Sequence, residues 1–474
     1  MESKWQFRTS GAPGRLLVWL LVAFLAWMPL PQASYPEQFQ DLLEIGAFSI
    51  FFFWLLRGQT KASFDYKRST GQGFVLWLLT AWLFFTLFQV LPLPPEVLQM
   101  LSPNSLIVYQ SNVLFDGNAW YPISLDTGGT LRSFLLYSAY AAIFFITVKL
   151  VRNERWLRII IFTVVGMALL EAIWGLSEQM LTYPNPKRAD GTFHNANHYA
   201  GFIELGLGLV IGLLIANRSR RQTTMGIDGR LLGWVDWLFS GRPLLYLICL
   251  LLVIALFQSG SRAGTFAFVT SLFLVTTVSG WRVASRKEDC KRGAILRQGS
   301  FLAILILTLS IAISLGSADR LIERIQSVVT QKDVREQYRE ATMAVFLNGP
   351  VVGFGAGSWP YTFEASRSPR SYEWRQWPQA HNEYLQLLSE QGVVGLLLLG
   401  SMLLVAISNI LFYSMERVSR SEQGVFFGVS IGCISLLIHS WWDYQFHIPA
   451  NAVYFFTCLA LAISTTEDLE VTSS

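Results

Sequence analysis

A chain of 474 residues with 52% hydrophobic and only 14% charged residues is not a water-soluble globular domain, which carries about 25% charged residues to wet its surface. Its formal net charge of +4 is spread over alternate stretches of the chain, a pattern of membrane topology that sets nucleic acid aside as a partner. The four cysteines fall in apolar runs or, for Cys290, in a basic loop, so neither a disulfide framework nor a zinc-finger spacing is present.

A spanning helix needs about 20 apolar residues, because lipid offers no partner to exposed backbone groups. Runs that approach this length are read at 16–30, 43–56, 74–91, 134–150, 157–181, 199–215, 244–257, 264–281, 301–315, 393–413, 425–440 and 450–464. The first resembles a signal peptide, but cleavage near Ser34 would place Gln32 where a small side chain is required, so it counts as a span. The expected fold class is therefore all-α, a polytopic transmembrane bundle of about twelve spans.

Basic residues mark every other connection. They include Lys4, Arg8 and Arg15, then Arg57, Lys61, Lys67 and Arg68, then Arg152, Arg155 and Arg158, and later groups around Arg220 and Arg286. The stretch 92–130 holds no Lys or Arg. By the positive-inside rule both termini are expected in the cytoplasm. Four polar segments then face outside: 184–198, 259–264, 316–392 and 441–449. The longest is expected to form a small, mostly helical domain, since so long a stretch is more than a connector. The expected organisation is nine spans over 1–315, the loop domain over 316–392, three spans over 393–464 and a cytoplasmic tail over 465–474. Within the loop domain a helix is expected over 334–347, ended by Asn348-Gly349-Pro350, and another over 380–390 leading into the tenth span.

The five histidines, His194, His198, His381, His439 and His447, all lie in or against the outer segments. Histidine is the side chain best suited to move protons near neutral pH. Arg188, upstream of Asn197 and His198, is a fork that can hold an anion, or an interfacial anchor. In Ser259-Gly260-Ser261-Arg262-Ala263-Gly264 a tight turn explains all but Arg262, an arginine that a turn does not require. Arg335 and Arg339 share a helix face, where pairing with Glu336 or Glu340 is the plainer reading. Gly353, Gly355 and Gly357 lack the Lys-Ser/Thr of a phosphate loop and read as a flexible turn. His381 with Asn382 stands at the start of a helix, where the dipole disfavours the protonated ring and keeps it available as a base. Glu390, nine residues on, points to the opposite face of a straight helix. The aromatics around Asp443 read as an interface belt or a platform for sugar rings, with Asp443 a candidate for orienting a substrate hydroxyl. Glu171 and Glu204, inside spans, are either functional or hydrogen-bonded within the bundle.

Arg188 with Gly191-Thr192-Phe193 and Asn197-His198, then Ser261-Arg262-Ala263-Gly264, then the three alternating glycines, then His381-Asn382 with Glu390 entering a span, together resemble the O-antigen ligase and polymerase superfamily. The resemblance runs from about Leu157 to Pro449. It implies a bacterial inner-membrane glycosyltransferase that moves a glycan from undecaprenyl diphosphate to an acceptor hydroxyl on the periplasmic face, without metal or nucleotide cofactor. It further implies that Arg188 and Arg262, helped by Arg335 or Arg339, bind the diphosphate, and that His381 is the general base. The implied partners are the lipid-linked donor, a glycan or lipid A-core acceptor, and membrane lipids. A protein O-oligosaccharyltransferase would share this donor chemistry. A polysaccharide or lipid transporter would instead place charges near the bilayer midplane within inverted repeats. A metal site at His194 and His198 is weakened by Asn195, where a zinc protease carries its glutamate.

Overall fold

The computed structural model describes residues 12–57, 70–113, 115–151, 154–182, 187–217, 241–286, 334–366, 379–413 and 420–465. Among the described residues fifteen helices follow one another: α1 (Ala12–Trp27), α2 (Glu37–Leu56), α3 (Thr70–Phe88), α4 (Pro95–Leu101), α5 (Pro103–Gln110), α6 (Thr127–Leu150), α7 (Glu154–Leu181), α8 (Ala196–Ala216), α9 (Arg242–Gln258), α10 (Arg262–Arg286), α11 (Val334–Asn348), α12 (Trp359–Ser366), α13 (Glu383–Tyr413), α14 (Arg420–His439) and α15 (Pro449–Thr465). No strand occurs among the described residues. The protein is an all-α polytopic membrane protein. Among the described residues six helices, α2, α6, α7, α8, α10 and α13, are long and apolar enough to cross a membrane, and α1, α3, α9, α14 and α15 are shorter apolar helices. Eleven of the expected runs are thus helices; the run at 301–315, the segment 316–333 and the tail at 466–474 lie outside the described residues. Several helices start earlier than their apolar runs, α2 at Glu37 and α6 at Thr127. Composition marks only the part that needs an apolar environment, whereas the helix continues into its polar end.

The tightest packing is between α8 and α14. Gly208 and Gly212 of α8 meet Gly424, Gly428 and Gly432 of α14; a Cβ on Gly212 would lie 2.3 Å from the Gly424 carbonyl, and one on Gly208 2.7 Å from that of Gly428. Hydrophobic burial does not drive helices together in lipid, so small residues at four-residue spacing allow the backbone contact that does. This antiparallel pairing sets the start of α8, at Asn195–His198, beside the end of α14 at His439.

Residues 89–126, with α4 and α5, join residues 349–358 in a cap. Gln89 Nε2 donates to the carbonyls of Val352 (2.8 Å) and Glu390 (2.9 Å), and Leu125 N donates to Phe354 O at 2.9 Å. Here the expectation of a flexible turn at Gly353, Gly355 and Gly357 is corrected. The three have φ of 67°, 103° and 75°, and added Cβ atoms would strike the Glu390 backbone at 2.3 Å, Ser124 Oγ at 2.4 Å and Ser133 Oγ at 2.7 Å. The glycines are there for close approach and left-handed backbone, not for freedom. Helix α13 also breaks inside its span, at Gly392 (φ 62°). The N–H groups of Val393 and Val394 are taken up by the carbonyls of Pro350 and Val351 at 2.8 and 3.1 Å, so the interruption leaves these donors satisfied.

Candidate active site

Three segments meet at one end of the bundle: 187–198, 379–386 and 440–448. Asn382 caps α13, its Oδ1 accepting from Leu385 N at 3.0 Å. His381, immediately before, has φ 51°, a left-handed conformation that is uncommon outside glycine but enriched for histidine. It is held there because Glu383 N donates to Ser440 O at 3.0 Å and Ala380 N to Gln386 Oε1 at 2.9 Å. Glu383, in the first turn, fixes the 440–448 loop: Oε1 accepts from Phe446 N (2.5 Å) and His447 N (3.1 Å), and Oε2 from His447 Nδ1 (2.9 Å). Burial alone would pull the His447 pKa down, but the Glu383 carboxylate outweighs it and raises it above the ordinary value.

Asp443 is the hub. Its Oδ1 accepts from His381 Nδ1 at 3.0 Å and from Tyr444 N at 3.0 Å, and its Oδ2 accepts from Asn197 Nδ2 at 2.8 Å. His198 Nε2 stands 3.6 Å from the same Oδ1, beyond hydrogen-bond length. The Asp443 side chain is 1% exposed. Burial by itself would raise its pKa, yet the imidazoles of His198 and His381 prevail and hold it well below the usual carboxylate range. A carboxylate accepts only, so Nδ1 of His381 carries the proton and Nε2 is the basic nitrogen. The Tyr444 ring meets both imidazoles edge to face, with centroids 4.5 Å from His198 and 4.8 Å from His381.

Asn197 extends the chain to the arginine. Arg188 Nη2 donates to Asn197 Oδ1 at 2.7 Å, and Arg188 Nε donates to Ser259 O at 2.5 Å. The segment carrying Arg188 is held by Glu171 of α7, whose Oε2 accepts from Thr192 N (3.0 Å) and Oε1 from Thr192 Oγ1 (2.9 Å). Of the two readings of Glu171, hydrogen bonding within the bundle is the one seen. Ser261 caps α10, Gly264 N donating to its Oγ at 3.2 Å. Arg262 follows, exposed, with no hydrogen bond or ion pair to the described residues.

The structure therefore brings Arg188, Asn197, His198, His381 and Asp443 into one hydrogen-bonded or contacting array, with Ser261 and Arg262 joined through Ser259. Other expected members stand apart. Arg339 pairs with Glu336 at 3.1 Å on its own helix, the plainer of the two readings, and the Arg335 side chain lies outside the described residues. Glu390 accepts from Gln386 Nε2 at 3.1 Å, away from His381, as expected of residues on opposite faces. The interface-belt reading of the last loop applies to Trp441, 50% exposed, but not to Tyr444 or Gln445, 6% and 0% exposed. Glu383 draws that loop inward, and Asp443, expected to orient a substrate hydroxyl, is bonded to His381 Nδ1. Sequence reading missed Tyr444, Gln445 and the Glu383–His447 pair. The density of polar residues in 440–448, unusual between two apolar helices, was the available signal. Beside that pair an apolar crevice opens between helices, lined by Trp82, Tyr137, Leu399, Leu403, Phe455 and Phe456.

Residues 247–400 match the family model described as O-antigen ligase. The resemblance to the O-antigen ligase and polymerase superfamily rests on more than motifs. The matched stretch contains Ser261, Arg262, Arg339, His381 and Glu390; Arg188, Asn197 and Asp443 lie outside it and join the site only through the fold. The match supports a membrane enzyme of the O-antigen ligase type, acting on glycan and lipid-linked substrates. No curated protein matches the chain.

Proposed function

We propose that this protein transfers a glycan from an undecaprenyl-diphosphate donor to an acceptor hydroxyl at the periplasmic face of the inner membrane, with His381 as general base. The observation that carries the reading is the continuous chain from Arg188 through Asn197 and Asp443 to His381. It links an anion-holding fork to an oriented imidazole, the two functions that displacement of a diphosphate requires. His381 Nε2 takes the acceptor's proton as its oxygen bonds to the anomeric carbon. The bond from that carbon to the diphosphate oxygen breaks, and undecaprenyl diphosphate leaves with the electron pair. One in-line displacement inverts the anomeric centre. Arg188 and Arg262 balance the charge that develops on the leaving diphosphate, and a planar fork suits this better than an ammonium. The apolar crevice beside the site supports substrates carried on lipid. On this reading both termini face the cytoplasm.

The test uses the purified protein in lipid nanodiscs with an undecaprenyl-diphosphate glycan and no added metal or nucleotide. Lipid A-core and a second donor molecule are offered as separate acceptors, and release of undecaprenyl diphosphate is followed. Release with lipid A-core identifies a ligase; release with the second donor identifies a polymerase. No release with either, from folded protein, refutes both assignments.

A further inference from the structure

A second histidine–carboxylate couple lies in the bundle and has no part in the chemistry above. His439 ends α14, and its Nδ1 donates to Glu204 Oε1 on α8 at 2.8 Å. Glu204 Oε2 accepts from Ser435 Oγ at 2.6 Å, and both side chains of the couple are 0% exposed. Placing such groups within an apolar bundle is costly, and they persist where they have a task. The other ring nitrogen, Nε2, points away from Glu204. Nε2 lies 3.5 Å from Ser261 Oγ, and Gln445 Nε2 packs on the ring, 3.3 Å from Nε2 and 3.4 Å from Nδ1.

Both contacts lead to the arginines. Ser261 immediately precedes Arg262, and Ser261 N donates to Ser259 Oγ at 3.1 Å. The carbonyl of Ser259 is the acceptor for Arg188. Gln445 Nε2 lies 3.2 Å from the backbone oxygen of Asn197, the residue that grips the other side of the Arg188 guanidinium. Steric fit fixes the arrangement further: a Cβ on Gly264 would come 2.7 Å from Glu204 Oε1 and 3.0 Å from His439 Cε1. The order Glu204, His439, Ser261 is that of a nucleophile relay. Yet the Ser261 oxygen already caps α10 and stands 3.5 Å from the His439 nitrogen, a geometry that suits a structural hydroxyl.

We infer that Glu204 and His439 are positioning residues: the couple fixes Ser261, and through it the 259–262 turn that sets both Arg262 and Arg188 at the diphosphate site. This rests on the diphosphate role given to those arginines above. The couple touches no substrate and acts through Ser261 and, by way of Gln445, through Asn197.

The test uses full-length protein in nanodiscs and two readouts. Hydrogen exchange of the Ser261 and Gly264 amides reports the turn itself, and titration with geranylgeranyl diphosphate reports the anion site. Glu204→Gln is nearly isosteric, and His439→Gln removes the ring contact with Ser261 while leaving Ser261 itself unchanged; Arg262→Ala is combined with each. In either single variant, exchange of both amides is expected to accelerate about tenfold and affinity to fall about tenfold, the scale of one buried hydrogen bond to a charged group. In the Arg262→Ala background the affinity loss shrinks, because part of it runs through the missing guanidinium, whereas general loosening of the bundle would add in full. Wild-type exchange rates in both variants overturn the inference, and so does full additivity with Arg262→Ala. If wild-type protein binds no geranylgeranyl diphosphate, the diphosphate reading fails by itself, and exchange still decides whether the couple holds the turn.

Discussion

Replacing Asp443 by asparagine changes one oxygen to NH2 and tests the hub of the site. The carboxylate accepts from three donors: His381 Nδ1, Tyr444 N and Asn197 Nδ2. An amide accepts on one oxygen only. If that oxygen faces His381, the new NH2 meets the NH2 of Asn197, which is unable to turn over because its own Oδ1 holds Arg188. If the oxygen faces Asn197, the NH2 meets the N–H of His381 and drives the ring to the wrong tautomer. Either way a hydrogen bond to a charged group is lost, worth about 1.5–3 kcal/mol. At about 1.36 kcal/mol per decade this corresponds to a roughly 10- to 150-fold lower turnover. Turnover is followed as release of undecaprenyl diphosphate, with circular dichroism confirming the fold. The variant should also lose a component of acid sensitivity. Asp443 has its folded pKa depressed, so its stabilisation is complete above the unfolded value of about 3.9 and disappears as pH falls towards the folded one. A folded Asp443→Asn protein turning over within twofold of wild type would refute the assignment of Asp443 as the group that orients His381.

His381→Ala should abolish transfer while leaving geranylgeranyl diphosphate binding within a few-fold of wild type, as measured by titration; normal turnover removes the base. Arg188→Lys should slow transfer at least about tenfold, since one ammonium lacks the planar fork that reaches Ser259 O and Asn197 Oδ1 together. Glu383→Gln should flatten stability on the alkaline side. With the His447 pKa raised by Glu383, the pair stabilises fully below the unfolded histidine value of about 6.5 and its contribution is lost as pH rises through the folded value, which thermal unfolding across pH 6–9 would follow. Gly212→Leu should prevent α8 and α14 from closing, a cost of about 1–3 kcal/mol or more seen as a lower thermal midpoint.

What the sequence determined follows from rules that act over one or two turns of chain. Lipid demands long apolar helices, so the helices could be placed from composition, and α11 and its stop at Asn348-Gly349-Pro350 from local breakers. His381 could be singled out because its place before a helix start is a local fact, and Glu390 could be set apart from it by the same helical arithmetic. Partners were another matter. Asp443 lies 62 residues from His381 and 246 from Asn197, and no local rule distinguishes a carboxylate that orients a base from one that greets a sugar. The three glycines after Asn348 look permissive in sequence; only the neighbouring Glu390 backbone, Ser124 and Ser133 make them obligatory. Likewise Glu204 and His439 are merely a carboxylate and a histidine in apolar runs until glycine-lined backbones of α8 and α14 bring them to 2.8 Å. Tertiary structure decided these pairings because buried polar groups must find partners wherever packing places them. In this chain packing is set by contacts between helices more than 200 residues apart.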